Sequence, residues 1–350
     1  MRVVVTGATG NAGTSLLRAL TKDAAVQEIV GLARRRPRLE LPRTTWVAAD
    51  VATDPLEEHF RGADCVVHLA WLIQPSRVRA TTRAVNVDGS RRVFEAAAAA
   101  GVPSLVYASS VGAYSPGPKD HRVDESWPTG GIQSSFYSRD KADVERVLDA
   151  FESAHPDIRV VRLRPGLIFK SQAASGIRRL FAGPLLPSAL VRRGLIPVVP
   201  AMDRLRFQAV HSLDVGEAYH RAVVSDARGA FNIAAEPVLD PRKLGELLGA
   251  RPAPVSPRVL RGLMRASWKL RLQPSPPGWL DMALGVPLMD VSRAERELGW
   301  SATRTAGDAL LELLDGMRRG DGIATAPLAP GGDGPLRLRE LLTGVGGRSR

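Results

Sequence analysis

The chain has 350 residues, 44% of them apolar and 24% charged, which is length enough for one large domain or two smaller ones with a full core. Cys65 is the single cysteine, which excludes an intramolecular disulfide, and no apolar run approaches the ~18 residues of a membrane span, so no stable membrane insertion is expected. The net charge of +12 is carried by scattered arginines without aromatic interleaving or a recognition motif, which reads as a solvated basic surface rather than a nucleic-acid footprint. The opening MRVVVTG is broken by glycine too early for a secretory segment, and with no disulfide to form a soluble cytoplasmic protein is the expectation.

The first 165 residues alternate strand-like and helical runs. RVVVTG (2–7), EIVGLAR (28–34), TTWVAAD (44–50), CVVHLA (65–70), SLVYAS (104–109) and IRVVRLR (158–164) are nearly continuously apolar, as strands buried on both faces are. Helical patterns lie between them, around 12–20, 55–61, 77–100 and 134–154. This alternation predicts an α/β fold, a doubly wound parallel sheet of the Rossmann type. After residue 165 the regularity fades, with a helix near 213–225 and a short run FNIA (231–234). The expected organisation is a nucleotide-binding domain over 1–165 and a smaller C-terminal α/β substrate-binding region over 166–320 sharing late crossovers. A glycine-, proline- and arginine-rich tail over 321–350 is expected to be flexible.

The stretch VVVTGATGNAG sets Gly7, Gly10 and Gly13 where the first strand turns into the first helix. Glycines there let backbone N–H groups approach a pyrophosphate at the positive end of a helix. At the end of the second strand, GLARRRPR puts Ala33 where a ribose-binding carboxylate would favour NAD, and Arg34 to Arg36 follow. Guanidinium groups suit a ribose 2′-phosphate, so NADP is favoured and NAD is the alternative. Asp50, ahead of Val51, is placed to accept from an adenine amino group.

In SSFYSRDKADVERVL (134–148), Tyr137, Lys141, Val144 and Leu148, and then Phe151, share one helical stripe. A lysine on an inward-facing stripe asks for a partner. YASSVGAY places Ser109 and Ser110 just past the fifth strand, at the edge where such sheets bind ligands. His59, His68, His121, His155, His211 and His220 are dispersed with no metal-binding spacing, and no metal is expected. SPRVLRGLMRASWKLRL (256–272) carries five basic residues, no acidic one and an apolar stripe, the pattern of a helix that packs on its own domain or lies on a membrane surface.

Taken together, these stretches resemble the extended short-chain dehydrogenase/reductase family, also described as the NAD-dependent epimerase/dehydratase family. The resemblance is carried by TGATGNAG, DV (50–51), HLA (68–70), NVDGS (86–90), YASS (107–110), Tyr137-x-x-x-Lys141 and RPG (164–166). VHSLDVGEA (210–218), GAFNIA (229–234) and DVSRAERELGW (290–300) extend it over roughly residues 1 to 318. It implies Tyr137 as acid/base, Lys141 as its partner holding the nicotinamide ribose and lowering the phenol pKa, and Ser110 as the donor to the substrate oxygen. It also implies a cofactor lined by Gly7, Thr9, Gly10, Asn11, Ala12, Gly13, Arg34, Asp50, Val51, Leu69, Ala70, Asn86, Tyr137, Lys141, Pro165 and Gly166. Dimers built on the helices flanking the sheet are common in the family.

Departures from the family pattern bear on the small-molecule substrate. RLRPGLIF lacks the asparagine of many nucleotide-sugar members, Trp71 replaces a small residue and would narrow the substrate side, and Arg206 sits one position from where a diphosphate-gripping arginine is expected. The leading expectation is hydride transfer at a carbinol/carbonyl carbon through Ser110, Tyr137 and Lys141. The alternatives are a nucleotide-sugar epimerase or dehydratase working by transient oxidation, dehydration wanting a further acid/base near Ser110 for which Asp120 and Glu125 are loop candidates only, and a non-catalytic NADP-sensing regulator.

Overall fold

The computed structural model describes residues 1–73, 79–181, 196–273 and 275–329, without the side chains of 178–181. Seven parallel strands form the central sheet: β1 (Arg2–Thr6), β2 (Glu28–Ala33), β3 (Thr44–Ala48), β4 (Cys65–His68), β5 (Ser104–Ala108), β6 (Arg159–Pro165) and β7 (Gly229–Ile233). Their order is β7-β6-β5-β4-β1-β2-β3, so the winding reverses between β1 and β4. A crevice opens at that reversal, outside the carboxyl ends of the strands.

Successive side chains of a strand point to opposite faces, which makes the valine run of β1 serve two cores. Val3 and Val5 pack with Leu16, Leu17 and Leu20 of α1 (Asn11–Leu20) on one face. Val4 packs on the other with Phe94 of α2 (Gly89–Ala99) and with Val144, Leu148 and Phe151 of α3 (Phe136–Ala154). Leu148 and Val144 are completely buried, and burial of such a side chain contributes about 1.5–3 kcal/mol. The helix α4 (Ser212–Val224) lies beside α1, where Ser15 and Ser212 share a 2.8 Å hydrogen bond.

The first 165 residues therefore do not complete the sheet and its covering layers. The sheet is finished by β7, and its covering helices by α4, both from the later half. What lies beyond the sheet is built from short parallel pairs: Leu167–Phe169 with Ala209–His211, Val198–Ala201 with Arg251–Pro254, and Arg122–Val123 with Leu288–Met289. The helices α5 (Pro257–Lys269), α6 (Gly278–Gly285) and α7 (Ala306–Arg319) complete that part.

Two expectations are refined here. The run 77–100 is helical over residues 79–99, with a π-helical turn at Ala84–Asp88 set between Arg79–Arg83 and α2, and residues 77 and 78 lie outside the described residues. The extra residue of that turn goes with Asn86, whose buried side chain bonds back to the Leu72 backbone instead of following the helix face. Residues 321–329 of the expected tail pack on the rest of the chain. Thr325 and Leu328 are buried, Thr325 Oγ1 donates to the Thr9 carbonyl at 3.0 Å, and Ile323 N–H donates to the Leu328 carbonyl at 2.9 Å. Residues 330–350 of that expected tail lie outside the described residues. No helix among the described residues is long and apolar enough to cross a membrane.

Candidate active site

A cavity of about 400 Å³ runs along the carboxyl edge of the sheet. Its floor is made by the residues that leave the strands: Gly7 after β1, Arg34 after β2, Leu69 after β4, Ser109 and Ser110 after β5, and Gly166 after β6.

At one end the cavity is walled by backbone. Gly7 has φ +71°, and a Cβ there would stand 2.5 Å from the Ala70 nitrogen. A Cβ on Gly13 would stand 2.5 Å from the Gly7 carbonyl oxygen. These contacts bring β1, α1 and the loop after β4 together as closely as backbone allows. Gly10 caps α1 in extended conformation with no side-chain acceptor, and the first turn of α1 holds no acid. Its N–H groups are thus left for an anion, which fits the pyrophosphate of a dinucleotide. Asn11 donates to the Ile168 carbonyl at 3.1 Å, while its buried Oδ1 has no partner among the described residues. Beyond Ala33, the exposed Arg34 and Arg35 stand at the cavity edge, and neither side chain has a partner among the described residues. Asp50 and Val51 face them across the β2–β3 edge, and Asp50 Oδ1 accepts from the Ala52 N–H at 3.0 Å.

At the other end the helix α3 begins. Ser135 caps it, accepting from the Ser138 N–H, and the Ser138 hydroxyl donates to the Gly112 carbonyl while accepting from Ile132 N–H at 2.7 Å. The first turn is thereby stitched to the short turn that follows Ser110. Tyr137 lies so close to it that a Cβ on Gly112 would stand 2.8 Å from the ring. Ser110 is buried, and its Oγ accepts from Gly112 N–H at 3.0 Å. One turn along α3, Lys141 is buried and donates to the Ala108 carbonyl at 2.6 Å, with its ammonium 3.4 Å from the centre of the Trp71 ring. Trp71 meets Tyr137 edge-on at 5.9 Å, and Trp279 of α6 lies 5.2 Å from the same ring.

The expectation that Lys141 lowers the Tyr137 pKa is not met in the protein alone. Burial pushes the phenol up to about 12, with Ser110 acting in the opposite direction. The reason is that Lys141 is itself desolvated: burial holds its pKa well below the usual lysine value, against the pull of Glu145 and Asp140. Its ammonium is turned to the Ala108 carbonyl and the Trp71 face.

Beneath the pair lies a buried charge cluster that the sequence reading missed. Glu145, one further turn along α3, is fully buried and accepts from Arg164 Nε at 2.9 Å and from Arg162 at 2.9 Å. Ser109 donates to the same carboxylate. Burial alone would raise the Glu145 pKa, but hydrogen bonding and charge from Arg164, with Arg162 and Ser109, hold it at about 2. The signal is present in the sequence: Glu145 stands four residues after Lys141, and past Arg159 at its start the strand alternates Arg162 and Arg164 among apolar residues.

All but one of the expected site residues line the cavity. Asn86 is the one left out, standing behind the wall where it holds Leu72 through bonds of 2.7 and 3.3 Å. Arg206 is exposed and donates to the Lys119 carbonyl at 3.2 Å, away from the cavity. Asp120 is exposed beside His121, and Glu125 accepts from Asn232 N–H at 2.8 Å, so neither acid lines the cavity. His68 is buried between Thr6 at 2.7 Å and Ser90 at 2.9 Å, a structural placement. Sequence reasoning also missed Tyr219, Trp279, Met282 and the Ala326–Leu328 wall, which reach the cavity from distant segments.

The sheet order, the glycine-rich turn at its switch point and the Tyr137–Lys141 helix define a short-chain dehydrogenase/reductase of the extended type. A model of the NAD dependent epimerase/dehydratase family matches residues 3–234, and the chain belongs to that family. The uncharacterized protein Rv2047c of Mycobacterium tuberculosis is 27% identical over 321 residues, covering 91% of this chain. The chain spans only 30% of that relative's length. L-arabinose 1-dehydrogenase (NAD(P)(+)) of Haloferax volcanii is 40% identical over 110 residues, 31% of this chain and 41% of that protein. The UDP-glucose 4-epimerase of Thermus thermophilus, solved in complex with NAD, shares the fold with a TM-score of 0.65 and 21% identity, covering 91% of this chain and 99% of that one.

Proposed function

We propose that the protein is an NADP(H)-dependent oxidoreductase acting at a carbinol/carbonyl carbon. The observation that carries this reading is the meeting of Ser110, Tyr137 and Lys141 at one end of a cavity whose other end suits a dinucleotide. The nicotinamide, when bound, supplies or accepts the hydride. The Ser110 hydroxyl would bind the substrate oxygen and stabilise the charge that develops on it. Tyr137, held protonated, would deliver its proton to that oxygen in the reducing direction. Lys141 would orient the cofactor ribose, and its charge would be favoured by Glu145 below it. Gly7, Gly10 and Gly13 would cradle the pyrophosphate, with Asp50 and Val51 on the adenine. Arg34 and Arg35, free of partners among the described residues, support a ribose 2′-phosphate and therefore NADP over NAD.

The wall near Tyr137 favours an apolar carbonyl compound over a nucleotide sugar. Trp71, Leu72, Ile73, Val111, Trp279 and Met282 form it, and among the described residues Lys141 is the basic side chain there. A diphosphate would need cations, and Arg206 is turned elsewhere.

The test is a screen of the purified protein with NADPH against apolar ketones, aldehydes and nucleotide sugars. Net NADPH consumption is expected with the carbonyl compounds, and Tyr137→Phe is expected to reduce kcat by about 10²–10⁴-fold. Product formed from a nucleotide sugar without net consumption would replace this reading by epimerisation. Tighter binding of NAD than of NADP would overturn the cofactor assignment.

A further inference from the structure

The helix α5 (Pro257–Lys269) has no buried residue. At 100° per residue its side chains fall into three rows. Leu260, Met264 and Trp268 form a half-buried inner row. Val259, Leu263 and Leu270 form an outer apolar row, 59%, 63% and 69% exposed, and Leu272 just beyond is 50% exposed. Between the two rows run Arg258, Arg265 and Lys269, all exposed. Ordinary surface helices turn one apolar stripe inward and leave the outside polar. This helix has a second stripe turned outward with cations along its flank, and residues 256–272 contain five basic residues and no acidic one.

We propose that this face docks the protein on an anionic bilayer surface, with the leucines entering the headgroup boundary and the cations pairing with acidic lipid. An apolar stripe beside a basic row is what such an interface recognises. Charge decides against a second copy as occupant, because the patch offers its own twin no acid, whereas acidic headgroups complement it. The net charge of +12 draws the chain toward such a surface at longer range. The docking helix is tied to the cavity wall: Arg261 holds Asp281 of α6 through bonds of 2.8 and 3.0 Å, and α6 carries Trp279 and Met282. The patch thus lies one helix from the apolar end of the site. This is peripheral docking, and it stands whether or not the carbonyl-reductase reading does.

The experiment is co-sedimentation of the full chain with phosphatidylcholine vesicles containing about 30% phosphatidylserine and with pure phosphatidylcholine vesicles, alongside light scattering in solution. Binding is expected to the acidic vesicles, weakening at least tenfold without phosphatidylserine or in half-molar salt. Leu263→Asp with Leu270→Asp is expected to lower vesicle affinity at least tenfold while thermal melting and NADPH binding stay unchanged, since both side chains are exposed. Arg265→Glu with Lys269→Glu should abolish the preference for phosphatidylserine. The proposal is overturned by no binding to either vesicle, by equal binding to both, by undiminished binding of the leucine variant, or by a dimer of the native chain that the leucine variant dissolves.

Discussion

The two ends of the cavity are built from different materials. The glycine-rich end, from Gly7 to Asp50, presents backbone N–H groups, and its shape depends on atoms that are not there: a single Cβ on Gly7 or Gly13 would collide with backbone at 2.5 Å. The Tyr137 end presents side chains from the loops after β4 and β5 and from α3 and α6, held by a buried network of charge and hydrogen bonds. The first needs only a strand, a tight turn and a helix in sequence. The second needs four remote segments to arrive together and to satisfy Glu145, Arg162 and Arg164 away from water. The proposed cofactor end is therefore sensitive to volume, and the proposed substrate end to charge.

The largest stability effect is expected from Glu145→Gln, which leaves Arg162 and Arg164 buried with their shared partner neutral. A loss of about 3–5 kcal/mol is expected in urea unfolding, together with weaker turnover, because one amide oxygen cannot accept from Arg162, Arg164 and the Ser109 beside Ser110 as two carboxylate oxygens do. A change under about 1 kcal/mol would mean that Asp149 and Glu152, which also pair with Arg162, carry the cluster instead. Gly13→Ala probes the other end. Its Cβ would meet the Gly7 and Ala8 carbonyl oxygens at 2.5 and 2.7 Å, so a loss of about 1–3 kcal/mol is expected, with a clear fall in NADPH affinity measured by fluorescence titration. Unchanged affinity would break the contrast between the two ends.

The smallest effect, taken over one pH unit, is a slope from His68, which sits under the switch point between the two. Burial, with Lys141 adding to it, holds its pKa down at about 3 against an unfolded value near 6.5. Between those values the unfolded chain binds a proton that the native chain does not. Stability is then fully present above pH 6.5 and falls as pH drops toward 3, by up to about 1.4 kcal/mol per pH unit. His68→Gln, which keeps hydrogen-bonding capacity toward Thr6 and Ser90, should flatten the pH dependence of unfolding between about pH 6.5 and 5. An equally steep curve in that variant would assign the slope to other groups.

Much of the frame is legible in the sequence. The six strand runs in the first 165 residues are all strands of the sheet, because an apolar run bounded by turn residues can be satisfied only in a buried parallel layer. The placement of Tyr137 and Lys141 follows from one helical turn of spacing. Glu145 stands on the same spacing, yet a carboxylate on an inward stripe makes sense only once Arg162 and Arg164 are seen to meet it. Asn86 owes its place in the expected site to a pattern. The structure gives it a backbone partner instead, and a position in the chain says nothing about which way a side chain turns.

By itself, the sequence determined the parallel sheet, the glycine turn at its switch point and the tyrosine–lysine stripe, all of which depend on periodicities of a few residues. The tertiary structure alone decided the protonation energetics of that stripe, the aromatic wall that Trp279 sets beside Tyr137, the docking of Thr325 on the glycine loop, and the outward turn of the second apolar row on α5. These arise from desolvation and contact between segments up to 316 residues apart, and no local spacing encodes what a buried group will meet.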